Sequence, residues 1–286
     1  MLSNLKFGME FEFAGITREF AADIIASIFG TKSFHVGEAL DEYIIADKEK
    51  RLWKVVRDAS IEAYRDLEQC ELVTPILSEG DEVTLLQAVS KLYEVGARVN
   101  KSCGIHIHVD AATFTPQAII NLVALIESNE KLIYKALGIS KDRLRYCKRI
   151  NDDLIQMIKE RKPESVSDIQ KLWYKESPYE LVDGKYHSTR YHGLNLHSIY
   201  YNGTIEFRMF NGSLDPAEIV AYMDFTLALC EKSKSNNRAV IKKGRTTNDK
   251  YSFRCFLLRL GLIGDEFKEC RRVLLKNLEG DVAWKG

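Results

Sequence analysis

The chain has 286 residues, of which 45% are hydrophobic and 29% are charged. This composition is typical of a globular protein with a large core, and it excludes a disordered or collagen-like chain. Lys and Arg together number 41, and so do Asp and Glu, so the whole chain has no net field that would attract nucleic acid or an anionic membrane. We therefore expect neither nucleic acid nor a membrane as a partner.

The first apolar stretch and the cysteines favour a cytoplasmic protein. Glu10 and Glu12 lie inside that stretch, which a signal peptide would keep uncharged. No segment reaches the roughly 18 apolar residues that a membrane span needs. The six cysteines are far apart and include no C-x-x-C spacing, which favours reduced, mostly buried thiols.

The first half of the chain alternates predicted strands with two predicted helices. Residues 5–13, LKFGMEFEF, alternate apolar and polar side chains, which predicts a strand with one buried face. Helices are predicted over 17–29, with Thr17 as N-cap, and over 81–96. Their apolar stripes are predicted at Phe20, Ile24 and Ile28, and at Val83, Leu86, Val89 and Tyr93. Further strands are predicted at 42–46, 52–58, 70–77 and 104–110.

The second half contains two helix starts and a predicted hairpin. Thr115-Pro116 and Asp215-Pro216 each place a capping side chain before a proline at the first helical position. Residues 194–210 are predicted to form a hairpin that turns at Asn202-Gly203. Strands that pair through hairpins and are separated by helices predict an α+β fold with a largely antiparallel sheet.

The predicted domain organisation has one boundary, near residue 231. Residues 1–231 are predicted to form the main domain, with an insertion or lid at 138–190, where polar helix-like stretches and two prolines occur. Residues 232–286 are predicted to be a basic segment followed by a helical extension. The segment 232–250 has seven basic residues against one acidic residue, and we interpret it as a solvated loop.

Three predicted strands each place two ionisable residues at positions i and i+2, which point to the same face. Carboxylates at this spacing are about 6–7 Å apart, so an enclosed pair needs a cation. Carboxylate and imidazole ligands suit Mg²⁺, Mn²⁺, Zn²⁺ or Fe²⁺, and the ligand types alone leave the metal open. The three pairs are Glu10 with Glu12, His106 with His108, and Glu206 with Arg208.

The motifs of several common enzyme classes are missing from the sequence. It contains no phosphate-binding G-x-x-x-x-G-K-[ST] loop, no G-x-G-x-x-G and no G-x-S-x-G. H-x-H-x-D at 106–110 is similar to the metallo-β-lactamase motif, but the closing histidine is replaced by Ala111. Any nucleotide would therefore be bound through metal ions and arginine.

Six segments, in order, resemble the amidoligase family, which belongs to the carboxylate-amine ligases of the glutamine synthetase and glutamate-cysteine ligase superfamily. They are FGMEFEF (7–13), LWKVVRDASIE (52–62), ELVTPIL (71–77), CGIHIHVD (103–110), RYHGLNLHS (190–198) and TIEFRMF (204–210). The resemblance implies a curved sheet of the glutamine synthetase type with helices on its outer face. It also implies an ATP-dependent ligase that forms an amide or isopeptide bond through an acyl phosphate, with Mg²⁺ or Mn²⁺ at the site. The substrates would be a carboxylate, carried by an amino acid, peptide or protein, and an amine.

The resemblance also implies a role for each matching residue. The metal ligands would be Glu10, Glu12, Glu71, His106 and Glu206. Arg208 would neutralise the transferred phosphoryl group, and Asp58 would hold the amine or take its proton, which makes these two the catalytic residues. Contacts to ATP or substrate would come from His108, Arg190 and Asn195. A nearby basic group, Arg143, Arg145 and Arg149, is interpreted as a solvated helix face.

Two other functions stay open on the sequence. A metal-dependent hydrolase that uses His106, His108 and carboxylates on zinc would turn over without a nucleotide. A nucleotide-binding scaffold, whose basic segment 232–250 binds a partner or nucleic acid, would bind ATP without releasing phosphate. The sequence identifies neither the acid, nor the amine, nor the oligomeric state.

Overall fold

The computed structural model describes residues 4–37, 41–175, 184, 186–235 and 248–283. By its internal packing the chain divides into two compact units. We call Asn4–His108 together with Phe210–Val220 the N-terminal unit, and Val109–Met209 together with the chain from Ala221 onward the C-terminal unit. Most of the basic segment 232–250 lies outside the described residues. Its interpretation as a loop, the boundary near 231 and the insertion or lid at 138–190 stay predictions.

The N-terminal unit consists of a mostly antiparallel sheet and two helices. The helices are α1 (Arg18–Phe29) and α2 (Glu82–Glu94). The strands are β1 (Phe7–Phe13), β2 (Ser33–Gly37), β3 (Glu42–Ala46), β4 (Leu52–Arg57), β5 (Cys70–Val73) and β6 (Gly104–Asp110). Their order is β2-β3-β4-β5-β1-β6. The pairs β2–β3, β3–β4, β4–β5 and β1–β5 are antiparallel.

One face of this sheet forms the core beneath α1, which packs on β2, β3 and β4 and also contacts α2. The ring of Phe29 at the end of α1 lies 5.3 Å from that of Trp53 in β4, centroid to centroid. The predicted apolar face of β1 is buried, and its residues are Phe7, Met9, Phe11 and Phe13. Because side chains alternate along a strand, the ionisable residues of β1 point to the opposite face.

The predicted apolar stripe of α1 is wrong and that of α2 is correct only at Val89, although Thr17 caps α1 as predicted. Phe20, Val83 and Tyr93 are exposed. The buried apolar side chains are Ala21, Ala22, Ile25, Ala26 and Phe29 in α1, and Leu85, Ala88, Val89 and Leu92 in α2. The prediction followed the large apolar residues and left out the alanines. Small residues on the buried face let a helix approach its neighbours closely, whereas single exposed apolar side chains are common on protein surfaces.

The C-terminal unit is mostly helical. Its helices are α3 (Pro116–Leu137), α4 (Asp152–Arg161), α5 (Val166–Trp173), α6 (His197–Asn202), α7 (Pro216–Ser235, which enters the unit at Ala221), α8 (Asp249–Arg259) and α9 (Lys268–Leu274). Helix α3 contacts α4 and α8, and α4 contacts α5. The short strand β7 (Leu194–Asn195) pairs antiparallel with β8 (Thr204–Asn211), so that Asn195 lies opposite Glu206.

The predicted hairpin over 194–210 is correct in its two antiparallel strands and wrong in its connection. Helix α6 fills the connection, and Gly203 is its C-cap. The φ angle of Gly203 is +72°, in the left-handed region. The Asn202-Gly203 dipeptide therefore ends a helix here, because glycine adopts the left-handed conformation of a helix C-cap without strain.

The predicted helix starts are confirmed. Thr115 Oγ1 accepts a hydrogen bond from the backbone N–H of Ala118 at the start of α3, and Asp215 Oδ1 accepts one from Ala217 at the start of α7. Strand β2 was not predicted, since its middle residues are exposed and it has no buried face to produce a pattern. The α+β fold with an antiparallel sheet is confirmed. None of the helices among the described residues is long and apolar enough to cross a membrane.

Candidate functional site

The sheet face opposite α1 carries a group of ionisable side chains in the N-terminal unit, which we call the acid–histidine cluster. Its members are Glu10, Glu12, Glu71, His106 and His108. Glu12 is 4% exposed and His106 is 3% exposed. The period-2 pattern of β1 and β6 therefore leads to an enclosed polar group rather than to a wet surface.

His106 lies between two carboxylates. Its Nδ1 is 2.8 Å from Oε2 of Glu10, and its Nε2 is 3.3 Å from Oε1 of Glu12. The other oxygen of Glu12 accepts a hydrogen bond of 2.6 Å from the backbone N–H of Gly104. These contacts fix the orientation of both the ring and the Glu12 carboxylate.

Glu12 and Glu71 lie directly opposite each other in the register of β1 and β5. Side chains in this relation have Cβ atoms about 4.5–5.5 Å apart, and like charges there destabilise the sheet. One ligand atom from each of Glu12, Glu71 and His106 lies within 4.8 Å of the other two. A divalent cation would remove the repulsion between the carboxylates, and this donor set fits Mg²⁺ or Mn²⁺. A metal-bound imidazole usually has its other nitrogen on a carboxylate, as His106 has on Glu10.

Glu10 is ionised at neutral pH. Burial by itself would raise the pKa of this carboxyl group, but the charge of His108 and hydrogen bonds from His106 and His108 outweigh burial, and its pKa is held well below the ordinary value. Nε2 of His108 is 3.4 Å from Oε1 of Glu10. Glu10 therefore places a negative charge beside both histidines.

Asp58 follows β4 and belongs to a turn. Its carboxylate accepts a hydrogen bond of 2.7 Å from the backbone N–H of Ser60, and its carbonyl accepts one of 3.3 Å from Ile61. These are the usual local contacts of a turn-forming aspartate. A role toward the amine stays a prediction.

The C-terminal unit contains a second group, which we call the arginine cluster: Glu206, Arg208, Asn195 and Arg143. Oε1 of Glu206 accepts a hydrogen bond of 2.5 Å from Nη1 of Arg208, and Oε2 accepts one of 2.6 Å from Nδ2 of Asn195. All four side chains are buried. Both oxygens of Glu206 therefore have a protein donor.

The assignment of Arg143 to a solvated face is wrong. This residue lies in a short 3-10 helix, Lys141–Arg145, and is 2% exposed. Its Nη2 donates a hydrogen bond of 3.1 Å to the backbone carbonyl of Arg208. Arg145 and Arg149 are exposed, as expected. The sequence could not separate Arg143 from these neighbours, because the prediction assumed the α-helical period and the 3-10 turn points this side chain inward.

A histidine that the sequence analysis missed supports Asn195. The backbone N–H of His197 donates a hydrogen bond of 2.9 Å to Oδ1 of Asn195. The ring of His197 lies between the hydroxyl of Tyr174, 2.5 Å from Nδ1, and the carbonyl of Gly184, 2.9 Å from Nε2. Burial lowers the pKa of His197, so the ring is neutral at pH 7. Since Nε2 donates to the carbonyl, Nδ1 accepts from Tyr174.

Arg190 lies at the end of the 3-10 helix Ser188–Arg190 in the same unit. Its guanidinium carbon is 5.3 Å from the ring centroid of Tyr186 and 5.6 Å from that of Tyr191. Such cation–π contacts hold the side chain against the protein surface. The predicted contact of Arg190 with ATP or substrate stays a prediction.

Residues 3–230 match the model of a protein family described as "Putative amidoligase enzyme". The match extends over far more than half of the chain, and the protein belongs to this amidoligase family. The resemblance to the amidoligase family is therefore confirmed.

Among solved structures, the chain is similar to the ligase in the crystal structure of the complex between the prokaryotic ubiquitin-like protein Pup and its ligase PafA. The two share 11% sequence identity with a TM-score of 0.34, and the alignment covers 96% of this chain and 62% of the other. This chain thus spans less than two thirds of the length of that protein. A comparison with curated proteins found no match.

Proposed function

We propose that this amidoligase uses ATP and a divalent metal ion to form an amide or isopeptide bond through an acyl phosphate. The observation that carries the proposal is the position of Glu12 opposite Glu71, with ligand atoms of both and of His106 within 4.8 Å of one another. The buried carboxylate of Glu12, the partly exposed carboxylate of Glu71 and one imidazole form a ligand set for Mg²⁺ or Mn²⁺. Membership in the amidoligase family supports the bond that is formed.

ATP supplies the activation that a carboxylate needs before an amine can displace one of its oxygens. A carboxylate oxygen of the acid attacks the γ-phosphorus of ATP, and the bond to ADP breaks. The amine nitrogen then attacks the carbonyl carbon of the acyl phosphate. The C–O bond breaks, phosphate leaves with its electron pair, and the nitrogen loses a proton. The products are the amide, ADP and phosphate.

In this proposal the acid–histidine cluster holds the cation. Glu12, Glu71 and His106 would be ligands, while Glu10 would orient His106 or bind the cation as well. Glu206 is proposed as a further ligand, as the family resemblance implies. The bound cation would supply neutralisation of phosphate oxygens, the role for which Mg²⁺ is suited.

The remaining residues are proposed to contact the reacting atoms of ATP and the substrates. Arg208 would neutralise the transferred phosphoryl group, because a guanidinium presents a planar fork of donors to phosphate oxygens. Its position is set by Glu206 and by the carbonyl of Tyr146, 3.5 Å from its Nε. Asp58 would take the proton of the amine. His108, Arg190 and Asn195 would contact ATP or substrate.

The test is a screen for phosphate release from ATP across pools of acids and amines, with Mg²⁺, with Mn²⁺ and with excess EDTA. We expect release that requires an acid, an amine and a metal, and a product whose mass is that of the acid plus the amine minus water. Turnover of a substrate without ATP would indicate a hydrolase. ATP binding without phosphate release for any pool would indicate a scaffold. Either result would overturn the proposal.

A further inference from the structure

The polar face of the N-terminal sheet continues beyond the acid–histidine cluster as far as the outermost strand, β2. In the strand registers Glu10 is opposite Val73, Val73 is opposite Lys54, Lys54 is opposite Ile44, and Ile44 is opposite Phe34. Residues that are opposite in register lie on the same face of a sheet. Since neighbouring strands are about 4.8 Å apart, this row runs for about 19 Å from Glu10 to the edge of the sheet.

Away from Glu10 this face carries partly exposed and exposed apolar side chains around Lys54. Phe34 is 62% exposed, and Val36, which lies at an irregularity in the strand register between His35 and Gly37, is 48% exposed. Leu52, two residues before Lys54, is also 48% exposed. Ile44 and Val73 are partly exposed. We call the residues Phe34, Val36, Ile44, Leu52 and Val73 the apolar row.

The opposite face of the same strands packs against α1 and provides a comparison of side-chain burial. Ile45, Trp53 and Val55 alternate with the apolar row in β3 and β4, and each is fully buried on the side of α1. One ion pair lies on the open face, with Nζ of Lys54 2.9 Å from Oε1 of Glu42. Single exposed apolar residues need no explanation, but several exposed apolar residues on one sheet face mark a candidate binding site.

We propose that the apolar row binds a polypeptide substrate, whose reacting group lies at the acid–histidine cluster while its apolar side chains contact Phe34, Val36 and Leu52. The proposal rests on the proposed function and names the substrate class for it. Two observations favour a polypeptide: Phe34, Ile44 and Val73 lie in one register row with Glu10, and that row is about 19 Å long. One extended residue spans about 3.5 Å, so a free amino acid would leave most of the row uncovered, whereas about six extended residues would cover it.

The test measures binding of fluorescein-labelled octapeptides by fluorescence anisotropy, using the full chain without nucleotide. The peptides form a positional set in which each position is Leu, Phe, Lys, Glu or Gly in a Gly-Ser background. We expect peptides with two or more Leu or Phe residues to bind at least tenfold more tightly than the Gly-Ser peptide. The double variant Phe34→Ser/Val36→Ser should remove this preference. Both side chains are exposed, so the variant should fold, which thermal melting checks.

The matched control is Phe20→Ser/Val83→Ser, which removes exposed apolar side chains of α1 and α2 in the same unit. This control should leave peptide affinity within twofold of the parent. Equal loss in both double variants, or no preference for apolar peptides in the parent, would overturn the proposal. A dimer in sedimentation velocity that dissociates in Phe34→Ser/Val36→Ser would assign the row to a second copy of the chain and would also overturn it.

The experiment separates this proposal from the proposed function. Peptide binding needs no ATP, so apolar peptides that bind to a protein without phosphate release would contradict the ligase mechanism and leave the apolar row as a polypeptide site. Phosphate release with a small acid, combined with no peptide preference, would contradict the apolar row and leave the ligase mechanism intact.

Discussion

The acid–histidine cluster and the arginine cluster stabilise buried charge in different ways. In the first, Glu12 and Glu71 face each other across two strands, and one histidine lies beside them. In the second, Glu206 has a donor on each oxygen, from Arg208 and from Asn195. A buried charge costs several kcal/mol unless it is paired and hydrogen-bonded.

The difference indicates which cluster is the better candidate for binding an external cation. The arginine cluster contains its own counter-charge, so it can be formed in the protein alone. The acid–histidine cluster places two like charges in direct register, and this arrangement becomes favourable when a divalent cation binds between them. We therefore assign metal binding chiefly to the first cluster and orientation of the Arg208 guanidinium to the second.

The largest expected effect comes from Glu12→Gln, which removes one charge of the opposed pair and keeps its size. Phosphate release at a fixed metal concentration should fall by at least about 100-fold, since even residues that only support a metal ligand change affinity by 10–100-fold. Raising the metal concentration should recover part of the loss. The control is Glu19→Gln on α1, which should keep the parental rate. An unchanged rate in Glu12→Gln would remove the basis for the difference between the clusters.

Arg208→Lys tests the second cluster. The variant keeps the positive charge but loses the planar fork, so ATP should still bind while phosphoryl transfer falls by about 100-fold, or about 3 kcal/mol. Because Arg208 and Glu206 are in direct contact, the effects of Arg208→Lys and Glu206→Gln should not add, with a coupling energy of about 1–3 kcal/mol in a double-mutant cycle. Arg145→Lys, on the exposed side of the neighbouring 3-10 helix, is the matched control. Additive effects would show that Glu206 and Arg208 act independently.

Glu130 in α3 provides a buried carboxyl group whose pKa is set mainly by burial. Both of its oxygens accept hydrogen bonds from the backbone N–H of Ile150, and burial raises its pKa to about 8. The folded protein therefore binds a proton that the unfolded chain has lost, and stability should fall as the pH rises from about 4.5 to about 8. The slope should reach up to about 1.4 kcal/mol per pH unit.

The variant Glu130→Gln keeps the acceptor for Ile150 and removes the titration. Urea unfolding at pH 5, 6.5 and 8 should show a flatter pH dependence in this variant than in the parent. Glu127→Gln, one turn earlier on α3, should keep the parental slope. Parallel stability curves for parent and Glu130→Gln would contradict the raised pKa.

The smallest expected effect is on stability in the absence of metal. Glu71→Gln relieves the repulsion from Glu12, and like-charge pairs opposite in a sheet cost about 0.2–1 kcal/mol. In EDTA this variant should therefore be slightly more stable than the parent, although it should be less active with metal. A destabilised Glu71→Gln in EDTA would show that the two carboxylates do not repel each other in the folded protein.

Local chemistry made part of the fold predictable from the sequence. The period-2 alternation of β1 and β6 gave the correct faces, and the caps Thr17 and Thr115 were correct, because these patterns depend on neighbouring residues only. The stripe of α1 was wrong, since the identity of its buried face depends on the sheet beneath it. The connection before β8 was wrong because Asn202-Gly203 suits both a hairpin turn and a helix end.

The sequence indicated individual candidate residues of the site, but not how these residues are arranged in space. The i, i+2 spacing identified Glu10 and Glu12 as neighbours on one face, but their relation to Glu71 depends on strand register, which the sequence does not state. Burial of Arg143 and the support of Asn195 by His197 arise from contacts between distant segments. The sequence did not predict the apolar row for the same reason, because its residues come from four strands that only strand pairing brings together.

The central claim is that Glu12, Glu71 and His106 hold a divalent cation, and titration with Mn²⁺ followed by electron paramagnetic resonance tests it most directly. The spectrum of free Mn²⁺ should be lost on binding to the parent without ATP, with at least one saturable site. The double variant Glu12→Gln/Glu71→Gln should leave that Mn²⁺ free, and the matched double variant Glu19→Gln/Glu127→Gln should bind it as the parent does. Equal Mn²⁺ binding by the parent and by Glu12→Gln/Glu71→Gln would contradict the claim.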